Sequence, residues 1–375
     1  MLKFFDLDPE SFGLEISDLS LKVVQLEKKG KFLGLRSFGK IDIKPGVIEE
    51  GKIKNKKALV GYIKKVLKNV KGKKIKTKRV ISSLPERMAF LQVIQMPKMK
   101  EKELETAVLF EAENYIPLPI EKVYLDFQVI DPFQNYLDHL NVLIAAFPKK
   151  FADPYISCIE EAGLELQALE IESQSISRSL VQNETSPFPL LIIDFGRTKT
   201  NFIVFSGHSL RFTTTIPIAS ENLSKAISKV FKKDLIEAEK LKIKYGLSYD
   251  FLKVHKKNEE YSENKKVFEA MVPVLSDLTE QIEKYINYYQ THRKYEHLVA
   301  GNTEIKKILL TGRGADLREL DDFLSLILRI PVELANPWIN ILPKPLKEVP
   351  GLLFRESIGY STTLGLALRG TNINQ

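Results

Sequence analysis

Asp194 closes the run Leu190-Leu-Ile-Ile-Asp194, which reads as a buried strand ending on a carboxylate. A turn containing Gly196 follows, and Asn201 to Ser206 reads as a second strand running back. Gly196 lets the backbone bend sharply and approach a ligand closely. Exposed amides in such a turn form a concavity for an anion, and a carboxylate beside it suits a divalent cation, held directly or through water. The combination fits the phosphates of a nucleotide and their magnesium, with Asp194 as the metal residue. Taken alone, Asp-x-Gly between two strands is more often an ordinary hairpin.

The pattern occurs twice. Phe12 to Glu27 is again strand, acidic end, tight turn, strand; aligned without a gap, Glu15 falls on Asp194, Ser17 on Gly196, Leu21 on Thr200 and Val23 on Phe202. A weak duplication nearly half a chain apart suggests two similar domains, each supplying one hairpin. Two phosphate-binding hairpins pinching a nucleotide are the arrangement of the actin-like (ASKHA, ribonuclease H-like) α/β fold. A third stretch, Lys306 to Leu317, runs from a buried strand into Thr311-Gly-Arg-Gly314, with a helix expected from Asp316 to Leu328. Glycines at 312 and 314 let a flat adenine ring or ribose lie against bare backbone.

These stretches need two domains to position them, and 375 residues suffice for two sizeable cores. Hydrophobic content of 44% and charged content of 28% are those of a globular protein. The single cysteine, Cys158, excludes an intramolecular disulfide and fits a reducing compartment. No apolar run approaches the roughly 18 residues of a membrane span, and the start lacks a signal peptide's basic region and apolar core, so a cytoplasmic location is expected. Net charge is +8, concentrated in the lysine-rich run from Lys64 to Arg79. That run reads as a solvated helix end and loop; anionic lipid is the competing reading. No aromatic residue interleaves with it, which argues against nucleic acid.

In chain order, strands precede an amphipathic helix over 56–69, and a strand follows over 78–83. Residues 85–147 read as an inserted α+β subdomain: an extended stretch 88–96, a helix 101–115 stopped by Pro117 and Pro119, and a β pair joined by the 131–139 loop. Domain I, comprising 1–84 and 148–185, surrounds the insert. Domain II is expected over 186–350, with a charged loop at 249–266 and a long helix to 291. A last helix over 357–369, within a 351–375 tail, is expected to pack back on domain I.

The motifs Phe110-Glu-Ala-Glu-Asn-Tyr-Ile-Pro-Leu-Pro-Ile-Glu-Lys-Val-Tyr-Leu-Asp-Phe-Gln128 and Lys44-Pro-Gly-Val-Ile-Glu-Glu-Gly51 resemble those of the PilM family of type IV pilus assembly proteins, itself similar to the FtsA proteins of cell division. The resemblance runs essentially end to end. It implies a cleft for ATP or ADP with Mg2+, and a groove between domain I and its insert for the short cytoplasmic tail of a PilN-like membrane protein. It places the chain beneath the inner membrane with a PilN/PilO complex, its membrane association indirect, with self-association possible. The nucleotide set expected from hairpins and resemblance together is Glu15, Ser17, Asp18, Ser20, Lys22, Asp194, Gly196, Thr198, Thr200, Lys284, Gly312 and Gly314. Tyr115 and Pro117 are the expected partner-binding residues.

Three residues depart from the family pattern. Glu15-Ile-Ser17 stands where Asp-Ile-Gly is usual, and Arg313 replaces a glycine of the adenosine turn. Serine is strained at Ser17 if the turn needs positive φ. In-line water activation tolerates misplacement poorly, so ATP hydrolysis is expected to be slow or absent. A small-molecule kinase of the same superfold needs a carboxylate base over its acceptor hydroxyl, and none is assignable. An FtsA-like filament protein ends in an amphipathic targeting helix, whereas this chain ends in Thr-Asn-Ile-Asn-Gln375. His139, His208, His255, His292 and His297 show no metal-ligand spacing and assemble no serine–histidine–acid set. No catalytic residue is assigned.

Overall fold

The computed structural model describes residues 11–30, 32–130, 138–248, 259–292, 304–343 and 350–372. The 131–137 part of the insert's loop, His255, His297 and residues 344–349 lie outside them. The chain forms two compact units: Met1–Ser186 with Gly207–Arg211 and Asn336–Gln375, and Pro187–Ser206 with Phe212–Ala335.

In the first unit, β1 (Phe12–Ser17), β2 (Ser20–Lys29) and β3 (Phe32–Asp42) form an antiparallel meander. A small hairpin of β4 (Ile48–Glu49) and β5 (Lys52–Ile53) leads into α1 (Lys56–Lys68), which the Asn55 side chain caps by accepting the Ala58 amide at 3.0 Å. The short β6 (Lys71–Gly72) joins β3, and β7 (Arg79–Leu84) lies parallel to β1. The helix buries Leu59, Ile63 and Val66, spaced to form one stripe, in a core with Leu14, Ile16, Tyr155 and Ile159.

The insert comprises β8 (Phe90–Pro97), α2 (Glu101–Ala112), β9 (Val123–Ile130) and β10 (His139–Pro148), its sheet ordered β8-β10-β9. Leu104, Val108, Ala112 and Ile116 cover that sheet. The helix stops at Ala112, three residues short of the expected Tyr115. Tyr115 and Ile116 still return their amides to the Ala112 carbonyl, and Pro117 disfavours helical backbone in the residue before it.

The first unit resumes with α3 (Lys149–Glu161), β11 (Glu165–Ile171) and α4 (Glu172–Leu180). Its sheet is ordered β11-β7-β1-β2-β3-β6, so β11 and β9 are each the outermost strand of a sheet.

The second unit is built on the sheet β14-β13-β12-β15-β16, formed by β12 (Ser186–Phe195), β13 (Thr200–Gly207), β14 (Ser209–Ile216), β15 (Lys307–Thr311) and β16 (Val332–Leu334), of which Ser186, Gly207 and Ser209–Arg211 count with the first unit. Its helices are α5 (Ser220–Phe231), α6 (Leu235–Tyr245), α7 (Glu259–His292) and α8 (Leu320–Leu328). Two sequence expectations change here. Helix α7 begins at Glu259, inside the stretch read as a charged loop; the exposed Lys265 and Lys266 lie off the buried Val267–Tyr289 stripe and leave it uninterrupted. A 3-10 turn at Arg313–Asp316 precedes α8, whose first residue is Leu320 rather than Asp316, after Glu319 takes a left-handed conformation.

From Asn336 the chain belongs to the first unit, not to the second as expected. Trp338 and Ile341 are buried against Phe38, Tyr360 and Leu364, and that burial decides the boundary. The tail is two helices, α9 (Phe354–Ile358) and α10 (Ser361–Asn372), separated at Gly359 and Tyr360, in place of one. Helix α10 lies against β1 and α4.

Candidate functional site

In the second unit, β12 delivers Asp194 to its carboxyl end, beside the β15 partner Thr311. Asn201 on β13 donates from Nδ2 to the Asp194 carboxylate at 3.1 Å. Thr215 donates its hydroxyl to Asn201 Oδ1 at 2.8 Å, fixing which way the amide points. The Gly196 N–H donates to the Lys199 carbonyl at 3.0 Å, closing the turn. A Cβ on Gly196 would come within 2.6 Å of that same oxygen, so glycine serves close approach here and not positive φ.

The turn is fastened to the next helix. Ser220 and Glu221, the first residues of α5, donate their amides to the Gly196 and Arg197 carbonyls at 3.1 and 3.0 Å. Two helix-start donors with no intrahelical partner are thereby satisfied. Gly312, at φ +86°, packs so closely on the end of β12 that a Cβ would reach 2.4 Å from Asp194 Oδ1. Gly314 has the same relation to Phe195 and Ser220. In the structure both glycines therefore meet the protein's own Asp194 strand end, a role the sequence did not disclose.

Sequence reasoning also missed the buried Lys242. Its ammonium donates to Ser220 Oγ at 2.7 Å and Ser224 Oγ at 3.0 Å, and pairs with the Glu239 carboxylate at 2.7 Å. Burial lowers the Lys242 pKa. Glu239, although burial alone raises it, is held below the ordinary carboxylate value by the Lys242 hydrogen bond and charge. The signal was available as a Glu and a Lys at helical i,i+3 spacing shortly before Gly246, but such pairs are common on solvated helices.

Of the expected residues, the structure brings Asp194, Gly196, Gly312 and Gly314 together. Thr198 is exposed on the turn. Thr200 is buried and donates to the Ile218 carbonyl at 2.6 Å. Lys284 is exposed on α7, its ammonium 5.5 Å from the Tyr285 ring centre.

The first unit's hairpin is built differently. Glu15 and Lys22 are cross-strand partners and form a 2.7 Å ion pair, both largely buried. The other Glu15 oxygen accepts from Thr363 of α10 at 2.6 Å. Ser17 faces Ser20 across a two-residue turn and donates to its carbonyl at 2.9 Å; Asp18 accepts the Gly51 amide at 2.9 Å. Positive φ among described non-glycine residues is confined to Glu50, Asn183, Glu184, Lys232, Glu319 and Arg329. The strain expected at Ser17 is absent, because the turn keeps that residue in strand geometry.

A separate cavity of about 300 Å3 lies within the first unit, lined by Tyr124 and Leu125 of β9, Phe147 of β10, Leu166 and Leu169 of β11, and Arg369 of α10. Arg369 and Arg178 both hold the fully buried Glu170; despite burial, their hydrogen bonds and charges keep that carboxyl below its ordinary value. Tyr115 and Pro117 do not line the cavity; Tyr115 is 45% exposed at the end of α2.

Among the described residues no helix is long and apolar enough to cross a membrane, and no group of three or more His, Cys, Asp or Glu side chains is placed to hold a metal ion.

Comparison with known proteins agrees with this architecture. A solved structure described as a PilM-PilN type IV pilus biogenesis complex superposes with a TM-score of 0.78 at 26% identity, covering 97% of this chain and 99% of that one. MreB5 of Spiroplasma citri bound to ADP superposes with a TM-score of 0.54 at 13% identity, over 97% and 98%, a likeness of fold alone. The fold is therefore actin-like. FtsA of Pseudomonas aeruginosa is 22% identical over 57% of this chain and 49% of its own length. FtsA of Helicobacter pylori (strain ATCC 700392 / 26695) is 29% identical over 24% of this chain and 18% of its own. The chain thus spans less than two thirds of these FtsA relatives. The family described as type IV pilus assembly protein PilM matches residues 13–371, and the chain belongs to that family.

Proposed function

We propose that the chain is a nucleotide-binding assembly factor lying in the cytoplasm beneath the inner membrane, in type IV pilus or related type II secretion machinery, where it holds the N-terminal tail of a PilN-like protein. The observation that carries the nucleotide reading is the Asp194 carboxylate, whose cross-strand partner is the neutral Asn201 amide. Asn201 and Gly312 fix that carboxylate at the carboxyl end of β12, beside the Gly196 turn, where a phosphate-bound cation would meet it.

Asp194 would hold Mg2+, directly or through water, and the Gly196–Lys199 turn would take the phosphates. Glu239, with its side chain 47% exposed and Lys242 keeping it ionised, would accept from ribose hydroxyls. Bound nucleotide would supply the metal and the phosphate charge that draw these loops together. Turnover is expected to be slow or absent: both oxygens of Glu15, the acid of the other hairpin, are occupied by Lys22 and Thr363. Calorimetry with ADP, with and without Mg2+, tests the reading. Equal affinity in Asp194→Ala and the parent would sink it, and turnover of about 1 per second or faster would replace the assembly factor with an enzyme.

The tail would enter the cavity beside Tyr124. Two outermost strands, β9 and β11, border it, and each offers backbone groups to an added extended peptide while the cavity takes a side chain. A tail peptide should bind Tyr124→Ala weakly and Tyr115→Ala normally, followed by fluorescence anisotropy. The reverse pattern would move the groove to the α2 end.

A further inference from the structure

Helix α2 presents an apolar stripe that the insert does not use. Phe110 is 74% exposed and Leu109 40% exposed. Glu105 and Glu113 stand one helical turn before and after Leu109, both exposed, and neither is in an ion pair among the described residues. The result is acid, apolar, acid at i, i+4 and i+8, spanning about 12 Å of helix.

The same unit carries a stripe of the opposite sign with the same spacing. On α1, Lys57, Gly61 and Lys65 are exposed at i, i+4 and i+8, and neither lysine is in an ion pair among the described residues. Gly61 is unusual. A glycine inside a helix is destabilising relative to alanine, because the unfolded chain has more backbone freedom to lose. Nothing lies within 4 Å of where its Cβ would be, so packing within the chain does not explain it. It leaves a notch between two lysines.

We propose that α2 of one copy docks on α1 of another, with Phe110 and Leu109 seated at the Gly61 notch and Glu105 and Glu113 facing Lys57 and Lys65. Each copy carries both surfaces, so the contact either closes reciprocally between two copies or runs head-to-tail into a chain or ring. Lysine stems beside the notch also suit the Phe110 ring, apolar along their length and cationic at the tip. The neighbouring lysines, Lys64 and Lys68, extend the positive field and favour the same acidic partner. A membrane suits α1 less well, because its apolar side, Leu59, Ile63 and Val66, is buried in the core and leaves no face to insert.

Sedimentation velocity of the full chain over a concentration series, at low and high salt, tests this. The parent should associate with rising concentration, less so in salt. Gly61→Leu should melt at or above the parent temperature, since leucine is the better helix former, yet associate about tenfold more weakly. Glu105→Lys with Glu113→Lys, and separately Lys57→Glu with Lys65→Glu, should each lose association, and an equimolar mixture of the two should recover it as mixed pairs. A single species at every concentration in low salt overturns the proposal, as does a mixture that stays monomeric. Retained association in the Lys57→Glu, Lys65→Glu protein, with loss of binding to phosphatidylglycerol vesicles, also overturns it and assigns the lysines to lipid.

Discussion

The two hairpins began as copies of one motif and differ at the residue opposite the acid. The alignment that sets Glu15 on Asp194 also sets Lys22 on Asn201, and the structure makes each a cross-strand side-chain pair. In the first unit the acid is neutralised by a lysine and tied to α10 through Thr363. In the second it is oriented by a neutral amide, itself held by Thr215. The residue facing the acid is lysine in one hairpin and asparagine in the other, so the first acid sits in an ion pair and the second accepts from an amide. The first hairpin's turn is also pinned from outside, by Asp18 to Gly51, whereas the second turn is pinned to the start of α5.

The largest expected effect tests that division. Glu15→Ala leaves Lys22 largely buried without its partner, and unfolding free energy should fall by about 3–5 kcal/mol in urea titration. Nucleotide affinity of the folded protein should stay within about threefold. Preserved stability with lost affinity would make Glu15 a ligand and erase the contrast. Asp194→Asn should do the opposite. Loss of a charged contact worth roughly 1.5–3 kcal/mol predicts Mg2+-nucleotide affinity about ten- to a hundredfold weaker by calorimetry, with little change in melting temperature.

How far the sequence reached follows the same line. Strand–turn–strand was legible at both hairpins because short apolar runs ending on an acid, with a turn between them, depend on local residues. The α/β order and the insert were legible for the same reason, with element ends off by a few residues where a 3-10 turn or a buried neighbour decided them. Long-range partners were hidden. Nothing near Glu15 announces that Thr363 will satisfy its second oxygen, and nothing near Gly312 shows that Asp194 will fill the space it leaves. The boundary at Asn336 depends on Trp338 finding Phe38 and Tyr360, contacts from distant parts of the chain. The cavity beside Tyr124 was hidden for the same reason, since β9, β10 and β11 meet only in the fold.

Helix α10 is tied to the first unit's sheet twice, at Glu15 of β1 and at Glu170 of β11, and each tie can be removed alone. Thr363→Val deletes the hydroxyl on the Glu15 carboxylate and should cost about 1.5 kcal/mol, recovered by Thr363→Ser. Arg369→Gln removes one of the two cations on Glu170. The folded pKa of Glu170 lies below its unfolded value, so its contribution is whole above the ordinary carboxylate range and is lost as pH falls through the folded value. With Arg369 gone the depression is smaller. Acid unfolding, followed by circular dichroism, should therefore begin at a higher pH than in the parent, and an unchanged midpoint would show that Arg178 alone holds the charge.

The smallest effect probes the second hairpin at one remove. Thr215 touches neither nucleotide nor metal in the proposed arrangement; it donates to Asn201, which donates to Asp194. Thr215→Val frees the Asn201 amide to rotate and leaves its oxygen without that donor, a loss of about 1 kcal/mol. If the neutral partner matters because it aims the carboxylate, Mg2+-nucleotide affinity should fall about fivefold while affinity measured without Mg2+ hardly moves. Equal losses with and without the metal would mean that Thr215 supports the turn as a whole. The contrast between the hairpins would then rest on shape, and the charge of the residue facing each acid would have no special part in it.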